Sequence, residues 1–180
     1  MKNSTQLFLF VAITLLLLSS MAYFLNLKKI EEVPVDRSAT SSASRIYTNT
    51  DFGFTFSLPE NWKGYTVIAT TWEGNPLTTT AIKQTGPKLL IRNPKWTAQL
   101  PYQDIPVLVF TLAQWNAYRN EDFSVSAAPI LATELGRNTT YVFALPPRWN
   151  FDYSEGYKDA ENIVKSNPLT TFTNKPTGTR

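Results

Sequence analysis

The stretch "IPVLVFTL", Ile105 to Leu112, decides the fold. A strand with one wetted face alternates apolar and polar side chains. This one is apolar at nearly every position, so both of its faces are covered and it belongs in the middle of a sheet. "YVFAL", Tyr141 to Leu145, reads the same way. The neighbouring segments differ. Phe52, Phe54, Phe56 and Leu58 alternate with Gly53, Thr55 and Ser57, the period-two pattern of a strand with one buried face. Pro59 ends that strand, and Glu60-Asn61-Trp62 make the turn.

Further out, Lys63 to Trp72 is Tyr-, Val-, Ile- and Thr-rich and reads as a strand broken by Gly74-Asn75-Pro76. Leu77 to Lys83 and Lys88 to Arg92 read as weaker strands around Gly86-Pro87. Ala113 to Asn120 reads as a short helix and Pro129 to Leu135 as another strand. A second helix, between Ser154 and Ser166, has Tyr157, Ala160, Ile163 and Val164 on one face. Asp152 and Glu155 suit its positive N-terminal end, and Asn167-Pro168 stops it. The expectation is an α+β fold: a mostly antiparallel sheet covered by helices, an αβα sandwich.

Residues 7–27, LFLFVAITLLLLSSMAYFLNL, carry no charge. At 1.5 Å per residue such a run spans roughly 30 Å, the thickness of a bilayer's hydrocarbon core. It reads as a transmembrane anchor after a short tail, residues 1–6. The alternative is a signal peptide cleaved near Ala22, which would leave a secreted domain. Lys2 and Lys28-Lys29 nearly balance across the run, and either reading exports the rest, so residues 45–172 are expected outside the cytoplasm. Residues 28–44 are polar and Ser-rich, a flexible tether with an r.m.s. reach of roughly 20–25 Å. Residues 173–180 read as a disordered tail.

The chain of 180 residues contains no cysteine and no histidine. Disulfides, thiolate nucleophiles, Ser-His-Asp catalysis and the common zinc and haem ligand sets are therefore excluded. Net charge is +3, with no basic stripe to neutralise a phosphate backbone, which argues against nucleic acid as a partner. No phosphate loop or Gly-x-Ser-x-Gly occurs, and neither a cofactor nor a metal is expected.

Two loops repeat a composition: Asn93-Pro94-Lys95-Trp96 follows one apolar run, and Pro146-Pro147-Arg148-Trp149 follows another. An indole beside a basic group on a rigid loop can anchor a peptide, a glycan or an anion. Arg92, Lys95, Trp96, Arg137, Arg148 and Trp149 are accordingly the candidate binding residues. The competing reading makes the loops plugs, with Trp149 buried against the Ser154–Ser166 helix. Glu134 beside Arg137 reads as an ion pair. Asp104, Glu134 and Asp152 are the carboxylates available to a hydrolase working by paired acids. Asn138-Thr139-Thr140 matches a glycosylation triplet, a pattern that arises readily by chance.

"YTNTDFGFTFSLPENWKGYTV", Tyr47 to Val67, resembles the opening of the PsbP-like superfamily, in which a Gly-Phe-x-Phe strand leads to Pro-x-x-Trp. "IRNPKWTAQLPYQDIPVLVFTLAQW" and "APILATELGRNTTYVFALPPRWN" resemble a group of uncharacterised bacterial membrane-anchored proteins. The resemblance covers most of residues 47–170 and implies export and an αβα sandwich. Members that bind metal use histidine among the ligands, which this chain lacks. The function expected is that of a membrane-tethered, non-enzymatic binding or assembly module for a protein or envelope component; the alternative is a carboxylate-dependent hydrolase of the cell envelope.

Overall fold

A computed structural model describes residues 44–127 and 130–173. Within these, two sheets and two short helices are built. The strands are β1 (Arg45–Asn49), β2 (Phe54–Leu58), β3 (Thr66–Pro76), β4 (Gln84–Arg92), β5 (Ile105–Thr111), β6 (Phe123–Ser124), β7 (Thr133–Arg137), β8 (Tyr141–Leu145) and β9 (Leu169–Thr171). The helices are α1 (Leu112–Arg119) and α2 (Tyr157–Lys165), and a single 3-10 turn spans Glu60–Trp62. Six strands are ordered β6-β3-β4-β5-β8-β7 and three are ordered β1-β2-β9, all paired antiparallel.

The doubly apolar strands lie in the interior of the larger sheet, and Ile105 to Phe110 and Val142 to Leu145 are all buried. One face of β5 and β8 presents Val107, Val109, Phe143 and Leu145 to a core shared with Phe54, Phe56 and Leu58 of β2. Phe54 and Phe143 meet with ring centroids 4.7 Å apart. The other face presents Leu108, Phe110, Val142 and Ala144 to Trp115 and Tyr118 of α1 and to Trp72 and Phe123. Each strand therefore needs an apolar residue at every position.

The expected sheet covered by helices is corrected here. Across from the first face stands the smaller sheet, because the larger one curls. Thr171 of β9 donates its hydroxyl to the Arg137 carbonyl of β7 at 3.0 Å, which brings β9 alongside the β7 edge. The helices are too small to form layers. Eight or nine residues span about 12–14 Å, whereas six strands about 4.8 Å apart extend about 24 Å. Helix α1 covers a patch, held by a capping box between Thr111 and Gln114. Helix α2 lies against the first core through Ala160 and Ile163.

Two strand breaks expected from glycine and proline are also absent. Strand β4 runs through Gly86-Pro87, since a Cβ at Gly86 would lie 2.6 Å from the Trp72 indole, which occupies that space. Strand β3 continues through Gly74 to Pro76, pairing with β6, because the Phe123 ring sits on Gly74. Residues 77–83, expected as a strand, form the turn between β3 and β4, and the strand expected at Pro129 to Leu135 is found at Thr133–Arg137. No helix among the described residues is long and apolar enough to cross a membrane. The anchor and most of the tether, residues 7–43, together with 174–180, lie outside the described residues.

Candidate functional site

Strands β4 and β8 are each antiparallel to β5 between them, so they run in the same direction. The loops Asn93–Trp96 and Pro146–Trp149 therefore leave the sheet at one end. The start of β5 returns to that end and ties them together. Arg92 donates from Nε and Nη2 to Asp104 Oδ2, both at 3.2 Å, and the Asn93 amide donates to Asp104 Oδ1 at 3.1 Å. The Arg92 guanidinium also stacks 3.8 Å above the Trp96 ring. Buried Asn93 accepts from the Lys95 amide through Oδ1, 2.9 Å, and so shapes the turn. Lys95 itself is exposed, its ammonium 5.8 Å from the Tyr102 ring centroid.

Gln103 joins the second loop to the first. It is only 8% exposed, and its side-chain amide donates to the carbonyls of Asp104 (2.9 Å) and Trp149 (3.2 Å). Its backbone amide donates to the Glu155 carbonyl at 2.7 Å, and Tyr102 forms a bridge with Glu155. Gly156 follows with φ 78°; a Cβ there would stand 2.9 Å from the Tyr102 ring, so both backbone and space require glycine. Segment 149–155 is thereby pinned at both ends. Arg148 and Tyr153 hold φ 52° without being glycine, at a cost of order 1–3 kcal/mol each. At the tip, Phe151 and Tyr153 are 69% and 68% exposed.

The six candidate binding residues do not share one surface. Trp149 is half-buried against the core that contains Ala160 and Ile163. Arg92 alternates along β4 with Ile91, a member of that core, so Arg92 and the Trp96 stacked on it belong to the opposite face. Arg148 is exposed, beside a cleft of about 310 Å³ lined by Ser126, Ala127, Pro147 and Phe151. Arg137 lies on β7, where its Nε donates to Glu134 at 2.6 Å.

The carboxylates named for hydrolysis each have a separate commitment. Asp104 holds Arg92 and Asn93. Asp152 accepts from the amide and the hydroxyl of Ser154, at 3.3 and 2.9 Å, and does not cap α2, whose N-cap is Gly156. The hydrogen bond from Arg137 holds the Glu134 carboxyl below the usual range. A general acid needs the opposite shift. Asn138 is likewise structural: its side-chain amide donates to the Phe52 carbonyl at 2.8 Å, and its oxygen accepts from Thr140 and Tyr141.

Phe151, Tyr153, Gln103 and Gly156 were not among the residues singled out from the sequence. Two aromatics alternating through "NFDYS" were a visible signal of a displayed tip. Nothing local marks Gln103, whose role depends on a carbonyl 46 residues away. Comparisons with protein-family models, with curated proteins and with solved structures found no match.

Proposed function

We propose that residues 45–172 form a non-enzymatic binding or assembly module, tethered outside the cytoplasm by a membrane anchor at residues 7–27. Its contact surface is the end of the sheet that carries the two Pro-basic-Trp loops. The observation that carries this reading is the segment 149–155: its backbone is fixed at Trp149 and Glu155 and it holds Phe151 and Tyr153 out in solvent. Two large aromatic rings held in solvent on this loop add nothing to the core. Preorganised aromatic anchors are what an interface uses, since little further ordering is needed on contact. The committed carboxylates favour this over hydrolysis.

The test places a photo-crosslinking amino acid at Phe151 in the native cell, with Ile82 in the turn at the opposite end as control. A discrete adduct at 151 with none at 82 is expected. No adduct at 151, or equal labelling at both positions, would overturn the proposal. Sodium carbonate extraction checks the anchor: full-length protein released into the soluble fraction removes it.

A further inference from the structure

The two flanks of the larger sheet are finished differently. Strand β7 closes one of them. Its register shifts between Glu134 and Gly136, it carries the Glu134–Arg137 ion pair, and Thr171 of β9 bonds its Arg137 carbonyl. A bulge, charges and a covering strand are devices that keep a sheet edge from accepting a further strand. Strand β3 forms most of the other flank and has none of them between Thr66 and Trp72. It pairs with β4 through nine consecutive residues without a shift, whereas β6 reaches only Asn75 and Pro76 on its outer side. Among the described residues, no other strand and no loop backbone bonds Thr66–Trp72 along that side. The run reads Thr-Val-Ile-Ala-Thr-Thr-Trp, with no charge, proline or glycine, a composition that favours pairing. In an antiparallel ladder about half of a strand's amides and carbonyls point away from its partner, so this edge holds an unfilled row of both.

We infer that this edge pairs with the same edge of a second copy of the chain, antiparallel about a two-fold axis through Ala69. That axis is the one that matches the seven-residue run with itself. It sets Ala69 against Ala69, Ile68 against Thr70, Val67 against Thr71 and Thr66 against Trp72. Every pair but the central one joins two β-branched residues, or a β-branched residue with the indole, the combinations that stabilise neighbouring strands. Charge selects a second copy rather than an unrelated strand. Exposed Lys63 precedes the run, and exposed Glu73, which also bonds Lys83 at 2.8 Å, follows it. An antiparallel copy brings each Lys63 to the end where the other copy's Glu73 stands, and within the run there is no charge to repel. One axis fills both edges at once, so the assembly stops at two copies.

This contact is separate from the displayed tip. Strands β4 and β5 stand between β3 and β8, the strand that leads to Phe151 and Tyr153. The turn bearing Ile82 lies past Pro76, where β6 already occupies the edge.

Because the chain has no cysteine, the axis can be read by disulfide trapping of the full chain in the native cell. Directly opposed residues of an antiparallel pair have Cα atoms about 4.5–5.5 Å apart, within the span a disulfide bridges. Ala69→Cys should therefore shift under mild oxidant to a reducible band of twice the chain's mass. Thr71→Cys is the control: its two copies would stand about 13 Å apart, beyond that span, and it should stay single. Thr70 is exposed, and Thr70→Lys in the Ala69→Cys chain places like charges on both copies, which should abolish the band. Co-expression with a tagged chain carrying Thr70→Glu and Ala69→Cys should restore it as the mixed pair. Failure of that charge swap would overturn the inference. Equal bands from Ala69→Cys and Thr71→Cys would overturn it as random collision. No band from Ala69→Cys, or an adduct of any other mass, would also overturn it, the latter by assigning the edge to a different strand.

Discussion

Replacing Asp104 by asparagine tests whether the two loops are held by one polar hub. Asp104 accepts three hydrogen bonds, two from the Arg92 guanidinium and one from the Asn93 amide. An asparagine can keep one acceptor on the Asn93 amide, but it then turns an NH2 group toward the guanidinium, donor against donor. Charge-assisted bonds contribute about 1.5–3 kcal/mol each, fully buried pairs cost about 3–5 when broken, and surface pairs contribute about 0–1. The side chains of Arg92 and Asp104 are 26% and 15% exposed, between those limits. Water compensates part of the loss, and the expected destabilisation is about 2 kcal/mol. In urea this lowers the unfolding midpoint by about 1 M for a slope near 2 kcal/mol/M. A double-mutant cycle with Arg92→Met should give a coupling of about 1 kcal/mol or more. Arg92→Met removes the guanidinium stacked on Trp96, so tryptophan emission should move to longer wavelength in that variant. A loss under about 0.5 kcal/mol with no coupling would show that solvent already holds these groups, and the hub argument would fail.

Gly86→Ala should destabilise by about 1–3 kcal/mol and alter near-ultraviolet dichroism, because its Cβ would stand 2.6 Å from the Trp72 indole; an unchanged melt would refute the close-packing account. Tyr118→Phe removes the acceptor for the buried Ala132 amide, which bonds its hydroxyl at 2.6 Å, and should cost about 1–3 kcal/mol. Burial holds the Tyr118 hydroxyl above its ordinary pKa of 10.0. The unfolded chain then loses its proton first, so this stability is complete below about pH 10 and declines as pH rises further; Tyr118→Phe should flatten that alkaline decline in denaturant titrations. Glu134 behaves oppositely. Its lowered carboxyl contributes stability above its ordinary value of 4.5, and the contribution is lost as pH falls. Carbon-detected NMR should place its titration below 4.5, and Arg137→Ala should return it toward that value; an unmoved titration would remove Arg137 as the cause.

The contrast between sequence and structure runs through particular residues. Strands β2, β5 and β8 were legible because burial on one face or two leaves a pattern in consecutive residues. Helix α1, expected at Ala113 to Asn120, was found within a residue of those bounds, and the structure shows the capping box that starts it. Strands β3 and β4 were misread at Gly74 and Gly86, where glycine gives way to an aromatic ring from elsewhere in the fold. A glycine cleared for a neighbouring ring and a glycine that ends a strand are the same letter.

From its sequence alone this protein has two all-apolar central strands, two short helices and no histidine or cysteine chemistry. Each follows from composition or from periods of two and 3.6, which any residue's near neighbours report. Only the tertiary structure decided that a second sheet, rather than helices, stands across from β5 and β8. A strand's buried face carries the same apolar residues whichever layer covers it. The same holds for the loops at the sheet's end. Arg92, Asp104, Gln103 and Trp149 become one network because β4, β5 and β8 lie side by side, and strand order is a contact between distant residues that no local pattern encodes.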